Sequence, residues 1–164
     1  MKKVTAKDIM HKNVFTVSDD MPVHELANFF TTKMISGAPV VDKEGKLIGV
    51  VSVSDIVRND SVRAAILEER HLADYYLQGW EDTLNDDELK ELHVEENDTL
   101  LVRDIMTPLL FKVDETTTMN EMADTMINGR IHRLIVTKNS KVVGIITTLD
   151  LLKAVRTYTQ EDLS

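Results

Sequence analysis

A hydroxyl and a carboxylate three residues apart occur twice in this chain, each time closing the same pattern: Gly49 to Asp55 reads GVVSVSD and Gly144 to Asp150 reads GIITTLD. Both stretches are short apolar runs with period-2 alternation that pass into a helical pattern, so each predicts a strand ending at a helix start. The first N–H groups of such a helix have no partner inside it and favour an anion. Ser52 or Thr147 brings a hydroxyl to that junction, and Asp55 or Asp150 can accept hydrogen bonds from a diol. A phosphorylated ribose presents both features. The same residues are also good helix caps, Ser54 or Asp55 in the first copy. Duplication of the whole pattern favours the ligand reading.

Catalysis would require a nucleophile with its base, a metal cluster or a phosphate-transfer loop. The sequence has no Gly-x-x-x-x-Gly-Lys-Ser/Thr, no Gly-x-Gly-x-x-Gly and no His-Glu-x-x-His. His11, His24, His71, His93 and His132 are scattered without ligand spacing and read as isolated surface or core histidines. Asp19-Asp20 reads as a helix cap and Asp86-Asp87-Glu88 as a solvated face. Absence of cysteine excludes disulfides, thiolate nucleophiles and thiolate metal sites. The expectation is no catalytic activity, no metal and no obligatory cofactor.

The elements that must position these groups come from a chain of 164 residues, 43% of them apolar, enough for one domain or two small ones. No apolar run approaches a membrane span, and MKKVTAKDIM is not a signal peptide, so no membrane association and a cytoplasmic location are expected. The formal charge of −9 argues against nucleic acid as partner. That surplus is local: Glu81 to Asp98 carries nine acids and one base. An anionic small ligand elsewhere is therefore compatible with it.

Self-comparison shows a repeat. Asp8-Ile9-Met10 recurs 96 positions later as Asp104-Ile105-Met106, and the same offset pairs Val17 with Val113, Glu25 with Glu121 and Val40 with Val136. The offset falls to 95 after Asp42-Lys43-Glu44-Gly45, which faces the shorter Lys138-Asn139-Ser140, as a hairpin turn allows. Repeat 1 predicts a strand at Phe15 to Val17, then a helix capped from Asp19, Asp20 and Pro22. Val23, Leu26, Ala27, Phe30 and Met34 fall on one face of that helix, with Met119, Met122, Ala123, Met126 and Arg130 at the matching places. A hairpin of Ala38 to Asp42 with Leu47 to Val53 precedes a second helix from Ser54. Repeat 2 offers Leu134 to Lys138, Val142 to Thr148 and a helix from Leu149 to Thr157. The order is strand, helix, strand, strand, helix, twice, an α+β fold of two β-α-β-β-α repeats. Neither copy can bury its sheet alone, so packing about a pseudo-twofold axis, with two related clefts, is expected.

The boundaries predicted are residues 1–59 for repeat 1, 60–100 for a connecting helix and acidic linker, and 101–164 for repeat 2. In the connection, Val62, Ile66, Ala73 and Leu77 make an apolar stripe from a cap at Asp60 or Ser61, with Trp80 after Gly79. Tyr75, Tyr76 and Trp80 either pack back onto their own module or form a partner surface within residues 60–98.

The chain resembles a tandem pair of cystathionine-β-synthase (CBS) domains, a Bateman module, over Thr5 to Arg58 and Leu101 to Arg156. The resemblance is carried by the DIM opening, by Ala38-Pro39-Val40-Val41-Asp42, by Ile131-His132-Arg133-Leu134 and by both Gly-x-x-Ser/Thr-x-x-Asp endings. It implies a non-catalytic regulatory module that binds an adenosine nucleotide (AMP, ADP or ATP), in some members S-adenosylmethionine or NAD(H), and forms a homodimer. Carried over to this sequence, one cleft joins Ser52 and Asp55 to Phe111, Ile131, His132 and Arg133. The other joins Thr147 and Asp150 to Phe15, Ile35, Ser36, Gly37 and Ala38. The base would lie in the apolar slot and the ribose on the carboxylate. His132 and Arg133 are cationic where Ser36 and Gly37 are not, so the first cleft is expected to favour the more charged ligand. The alternative is a dimerising scaffold whose clefts bind no nucleotide.

Overall fold

A computed structural model of the chain describes residues 3–59, 74–77, 99–108 and 110–161. The stripe from Val62 to Ala73, Trp80 and the acidic run to Asp98 lie outside the described residues. The elements are α1 (Ala6–Ile9), β1 (Val17–Ser18), α2 (Val23–Lys33), β2 (Gly37–Val41), β3 (Leu47–Ser52), α3 (Val53–Asn59), α4 (Asp74–Leu77), α5 (Val102–Ile105), β4 (Lys112–Asp114), α6 (Met119–Gly129), β5 (Arg133–Lys138), β6 (Lys141–Thr147) and α7 (Thr148–Glu161). The β-α-β-β-α order therefore occurs twice, and the fold is α+β. Each repeat holds a three-stranded sheet of identical design, β1-β2-β3 and β4-β5-β6. The first pair in each is parallel and the second antiparallel.

Two compact units emerge, and each takes its opening segment from the other end of the sequence. One comprises the described residues up to Val14, Tyr76 and Leu77, and Phe111 onward; the other comprises Phe15 to Asn59, Asp74 and Tyr75, and the described residues from Thr99 to Leu110. In the first unit, α1 docks beside β4 through Ala6 N to Thr117 O at 2.8 Å and Lys7 N to Glu115 O at 2.9 Å. His11 then bridges Ile145 of β6, with N–H to O distances of 2.9 and 3.0 Å. In the second unit, α5 docks through Val102 N to Met21 O and Arg103 N to Asp19 O, both 2.9 Å, and Thr107 bridges Val50 of β3. The DIM sequence builds this docking. Its aspartate turns back on the short helix, Asp8 Oδ2 accepting the Thr5 N–H at 2.9 Å and Asp104 Oδ2 the Leu101 N–H at 2.9 Å. Its methionine packs on the glycine that opens the other motif. A Cβ at Gly49 would lie 2.9 Å from Met106 Sδ, and one at Gly144 would lie 2.5 Å from Met10 Sδ.

The core of the second unit joins Val17, Val23, Leu26, Ala27, Phe30, Ala38, Val40, Val51, Val53, Ile56 and Val102. In the first unit Met122, Met126, Ile131, Leu134, Ile135, Val136 and Ile146 are buried. Met34 and Arg130 do not continue the apolar faces that the spacing predicts. Both are left-handed helix caps, at φ 53° and 51°, and this turn swings the side chain outward, so Met34 is 69% exposed. Nor do Asp19 and Asp20 cap α2: Pro22 is its N-cap, and Asp20 instead accepts from Ser18 Oγ at 2.6 Å. The shorter second hairpin turns on Asn139 and Ser140 at φ 51° and 65°, the geometry of a two-residue primed turn.

Candidate functional site

The two strand-to-helix junctions are built alike. β3 runs into α3 at Ser52 and β6 into α7 at Thr147, and in each case the aspartate three residues on folds back over the junction. Asp55 Oδ2 accepts from Ser52 N at 2.7 Å and Ser52 Oγ at 2.9 Å. Asp150 Oδ2 accepts from Thr147 N at 2.8 Å and Thr147 Oγ1 at 2.7 Å. One oxygen of each carboxylate is thus spent locally, as in the reciprocal half of a capping box. The other oxygen of each meets a basic side chain. Asp55 Oδ1 lies 3.4 Å from Arg58 Nη1, and Asp150 Oδ1 lies 2.9 Å from His11 Nε2.

Ser52, Asp55 and Asp150 are buried. Burial opposes ionisation of Asp150, but hydrogen bonds from the Thr147 backbone and hydroxyl and from His11 outweigh it and hold its carboxyl below the ordinary value. His11 sits on the strand bridge to Ile145, which fixes its backbone while leaving 66% of the side chain exposed. The position matching His11 in the other unit is Thr107. His11 is not the isolated histidine its spacing suggests: 139 positions separate it from Asp150, and the exchange of opening segments joins them.

Strand register decides which other residues lie beside each junction. Gly37 stands opposite Ser52, and Ser36 O accepts from Val53 N at 2.9 Å. Arg133 stands opposite Thr147, and His132 O accepts from Thr148 N at 3.1 Å. In one unit the register therefore brings Ser36 and Gly37 to the Ser52 junction, with Ala38 opposite Val51, and in the other it brings His132 and Arg133 to the Thr147 junction. The groupings implied by the resemblance draw instead on both units. Phe15 is 45% exposed, meets Phe29 edge-on at 6.0 Å and carries Lys33 Nζ 5.1 Å above its ring. Ile35 packs at the edge of the second unit's core. Phe111 meets Tyr76 edge-on, ring centroids 5.1 Å apart, and Tyr76 Oη accepts its N–H at 3.0 Å. Among the described residues no group of three or more His, Asp or Glu could hold a metal ion, and no helix is long and apolar enough to cross a membrane.

The duplicated junction, the DIM docking and the matching sheets meet a known pattern. The CBS domain model matches residues 6–61 and 102–157, together more than half of the sequence. The chain belongs to the CBS domain family. Its two repeats make it a CBS pair. An uncharacterized protein of Methanocaldococcus jannaschii is 32% identical over 154 residues, covering 90% of this chain and 89% of that one. Other relatives are longer, and this chain spans between 24% and 61% of four of them. Among solved structures, CBSX2 in complex with AMP superimposes with a TM-score of 0.64 at 21% identity, covering 95% of this chain and 98% of that one. The CBS domain pair of MJ0100, in complex with 5′-methylthioadenosine and S-adenosyl-L-methionine, gives 0.61 at 20% identity, covering 96% and 99%. At these identities the likeness concerns the fold.

Proposed function

We propose that this CBS pair is a regulatory, non-catalytic binder of adenosine-type ligands, with the ribose diol held by the second oxygen of Asp55 or Asp150. One observation carries the reading. In both junctions Oδ2 is fixed by its own loop, leaving Oδ1 as the acceptor that meets a donor from outside the loop, Arg58 or His11 here and a ribose hydroxyl in the complex. AMP, methylthioadenosine and S-adenosylmethionine, the ligands named for the two similar structures, share adenine and a ribose diol but not a phosphate. Adenosine is thus the common requirement, and phosphate distinguishes among ligands. Arg133 stands opposite Thr147, and its charge and fork geometry favour the more phosphorylated ligand (AMP, ADP or ATP) at the junction of Asp150.

Thermal unfolding with AMP, methylthioadenosine, adenine alone and inorganic phosphate tests this. A ligand present at about 100 times its dissociation constant adds about 2.7 kcal/mol. AMP and methylthioadenosine should raise Tm, and adenine and phosphate alone should not. No shift with any adenosine compound would overturn the proposal. A second reading, a homodimerising scaffold, is favoured by Ile127 on α6 and Leu152 and Val155 on α7, exposed at 71%, 66% and 45%. Leu152→Glu should halve the mass measured by light scattering if that face is covered by a second copy. An unchanged mass would remove this reading.

A further inference from the structure

The base-reading edge of the first unit already holds an internal group. His132 flanks the Thr147 and Asp150 junction through Thr148, Phe111 leads into β4 on the other side of β5, and the N–H groups of both are taken by one residue. Phe111 N donates to Tyr76 Oη at 3.0 Å, and His132 N donates to the Tyr76 carbonyl at 2.8 Å. The Tyr76 ring is fully buried and meets Phe111 edge-on at 79°. On the same unit His11 Nε2 approaches the diol-facing oxygen of Asp150 at 2.9 Å.

Resting on the adenosine reading above, we propose that Tyr76 and His11 are stand-ins for base and diol, and that an adenosine ligand binds this unit by displacing them. The chemistry matches group for group. A purine offers an aromatic ring and acceptor nitrogens where Tyr76 offers a ring, a phenol oxygen and a carbonyl. A ribose hydroxyl donates to Asp150 Oδ1 where His11 Nε2 does. Exchange costs the two hydrogen bonds and the edge-on ring contact of Tyr76, which the ligand's acceptors and ring replace. Displacement also supplies a signal. Tyr76 belongs to the segment that joins the two repeats, so its displacement on ligand entry loosens Tyr76 and Leu77 and changes what that segment presents. The other junction differs, since Thr107 replaces His11 there and Asp55 faces Arg58 at 3.4 Å.

Calorimetric titration of AMP into the wild type, Tyr76→Phe, Tyr76→Ala and His11→Ala, with hydrogen exchange on the wild type, tests the proposal. Removing a stand-in lowers the cost of opening, so apparent affinity rises by the inverse of the competent fraction. Tyr76→Phe and His11→Ala, each losing one hydrogen bond, should bind about 2- to 10-fold more tightly, and Tyr76→Ala at least about 10-fold. In the wild type, AMP should speed exchange of the Tyr76 and Leu77 amides. Equal or weaker binding by the variants, or protection of Tyr76 and Leu77 by AMP, would make Tyr76 a wall of the site and overturn the inference while leaving the adenosine reading intact. Absence of AMP binding in the wild type and all variants at millimolar ligand would overturn both. Should Tyr76→Ala not fold, Tyr76→Phe and the exchange measurement decide the matter.

Discussion

Gly144→Ala should destabilise the chain, and Met10→Ala should relieve part of that cost. A Cβ at Gly144 would lie 2.5 Å from Met10 Sδ, 2.8 Å from its Cγ and 2.9 Å from its Cβ. Carbon contacts prefer about 3.5–4.0 Å. A new methionine rotamer moves the sulfur but not the Cβ, so the docked segment itself must shift, straining the paired bonds between His11 and Ile145 at 2.9 and 3.0 Å. Overpacking of this kind costs about 1–3 kcal/mol. Met10→Ala alone should cost about 1–2 kcal/mol, below the fully buried range because Met10 is only half-buried. Two of the three close atoms leave with it, so the double variant should be less destabilised than the sum by about 1–2 kcal/mol. Urea unfolding followed by circular dichroism, with unchanged m, gives the four values. Costs that add to within about 0.5 kcal/mol would refute the docking of the first DIM segment on the second motif's glycine.

Three further outcomes follow from local geometry. Asp150 is held below the ordinary carboxylate value, so its stabilisation is present above that value and lost as pH falls through the lowered folded one. The stability gap between wild type and Asp150→Asn should stay constant through neutral pH and close in acid; a gap that widens in acid would contradict the hydrogen-bonding scheme. Thr118 forms a reciprocal cap with Glu121, through Thr118 N to Glu121 Oε2 at 2.9 Å, and Thr118→Ala should cost about 1 kcal/mol in urea unfolding while Thr118→Ser costs little. Ser140, at φ 65°, pays a left-handed penalty, so Ser140→Gly should raise the urea midpoint by an amount worth about 1 kcal/mol.

The fold was legible because both repeats obey local rules. Alternation marked β2, β3, β5 and β6 to within a residue or two, and the loss of one residue between the hairpins matched the Asn139-Ser140 turn. Helix faces were legible up to their last turn, where Met34 and Arg130 leave the helical path for the left-handed region, which no spacing rule anticipates. The junction residues Ser52, Asp55, Thr147 and Asp150 were legible because each pair is three residues apart and closes on itself. Their surroundings were not. Exchange of the opening segments is a tertiary choice, so His11 looked isolated and Gly144 looked like a ligand-motif residue, whereas Met10 packs on that glycine. Of the two sequence alternatives for Tyr75 and Tyr76, packing back onto the module is the one the buried rings match, but the two bonds of Tyr76 to Phe111 and His132 depend on a chain path that periodicity does not encode.

The central claim is that the Oδ1 oxygens of Asp55 and Asp150, which meet Arg58 and His11 in this structure, hold a ribose diol. Calorimetric titration of AMP into wild type, Asp55→Asn, Asp150→Asn and the double variant tests it most directly, since asparagine keeps one oxygen for the junction N–H and removes the charge. Each single variant should lose about 10- to 150-fold in affinity at its own site, the range for a hydrogen bond to a charged group. The double variant should bind no AMP in the range where the wild type saturates. A double variant that binds AMP as the wild type does would contradict the claim.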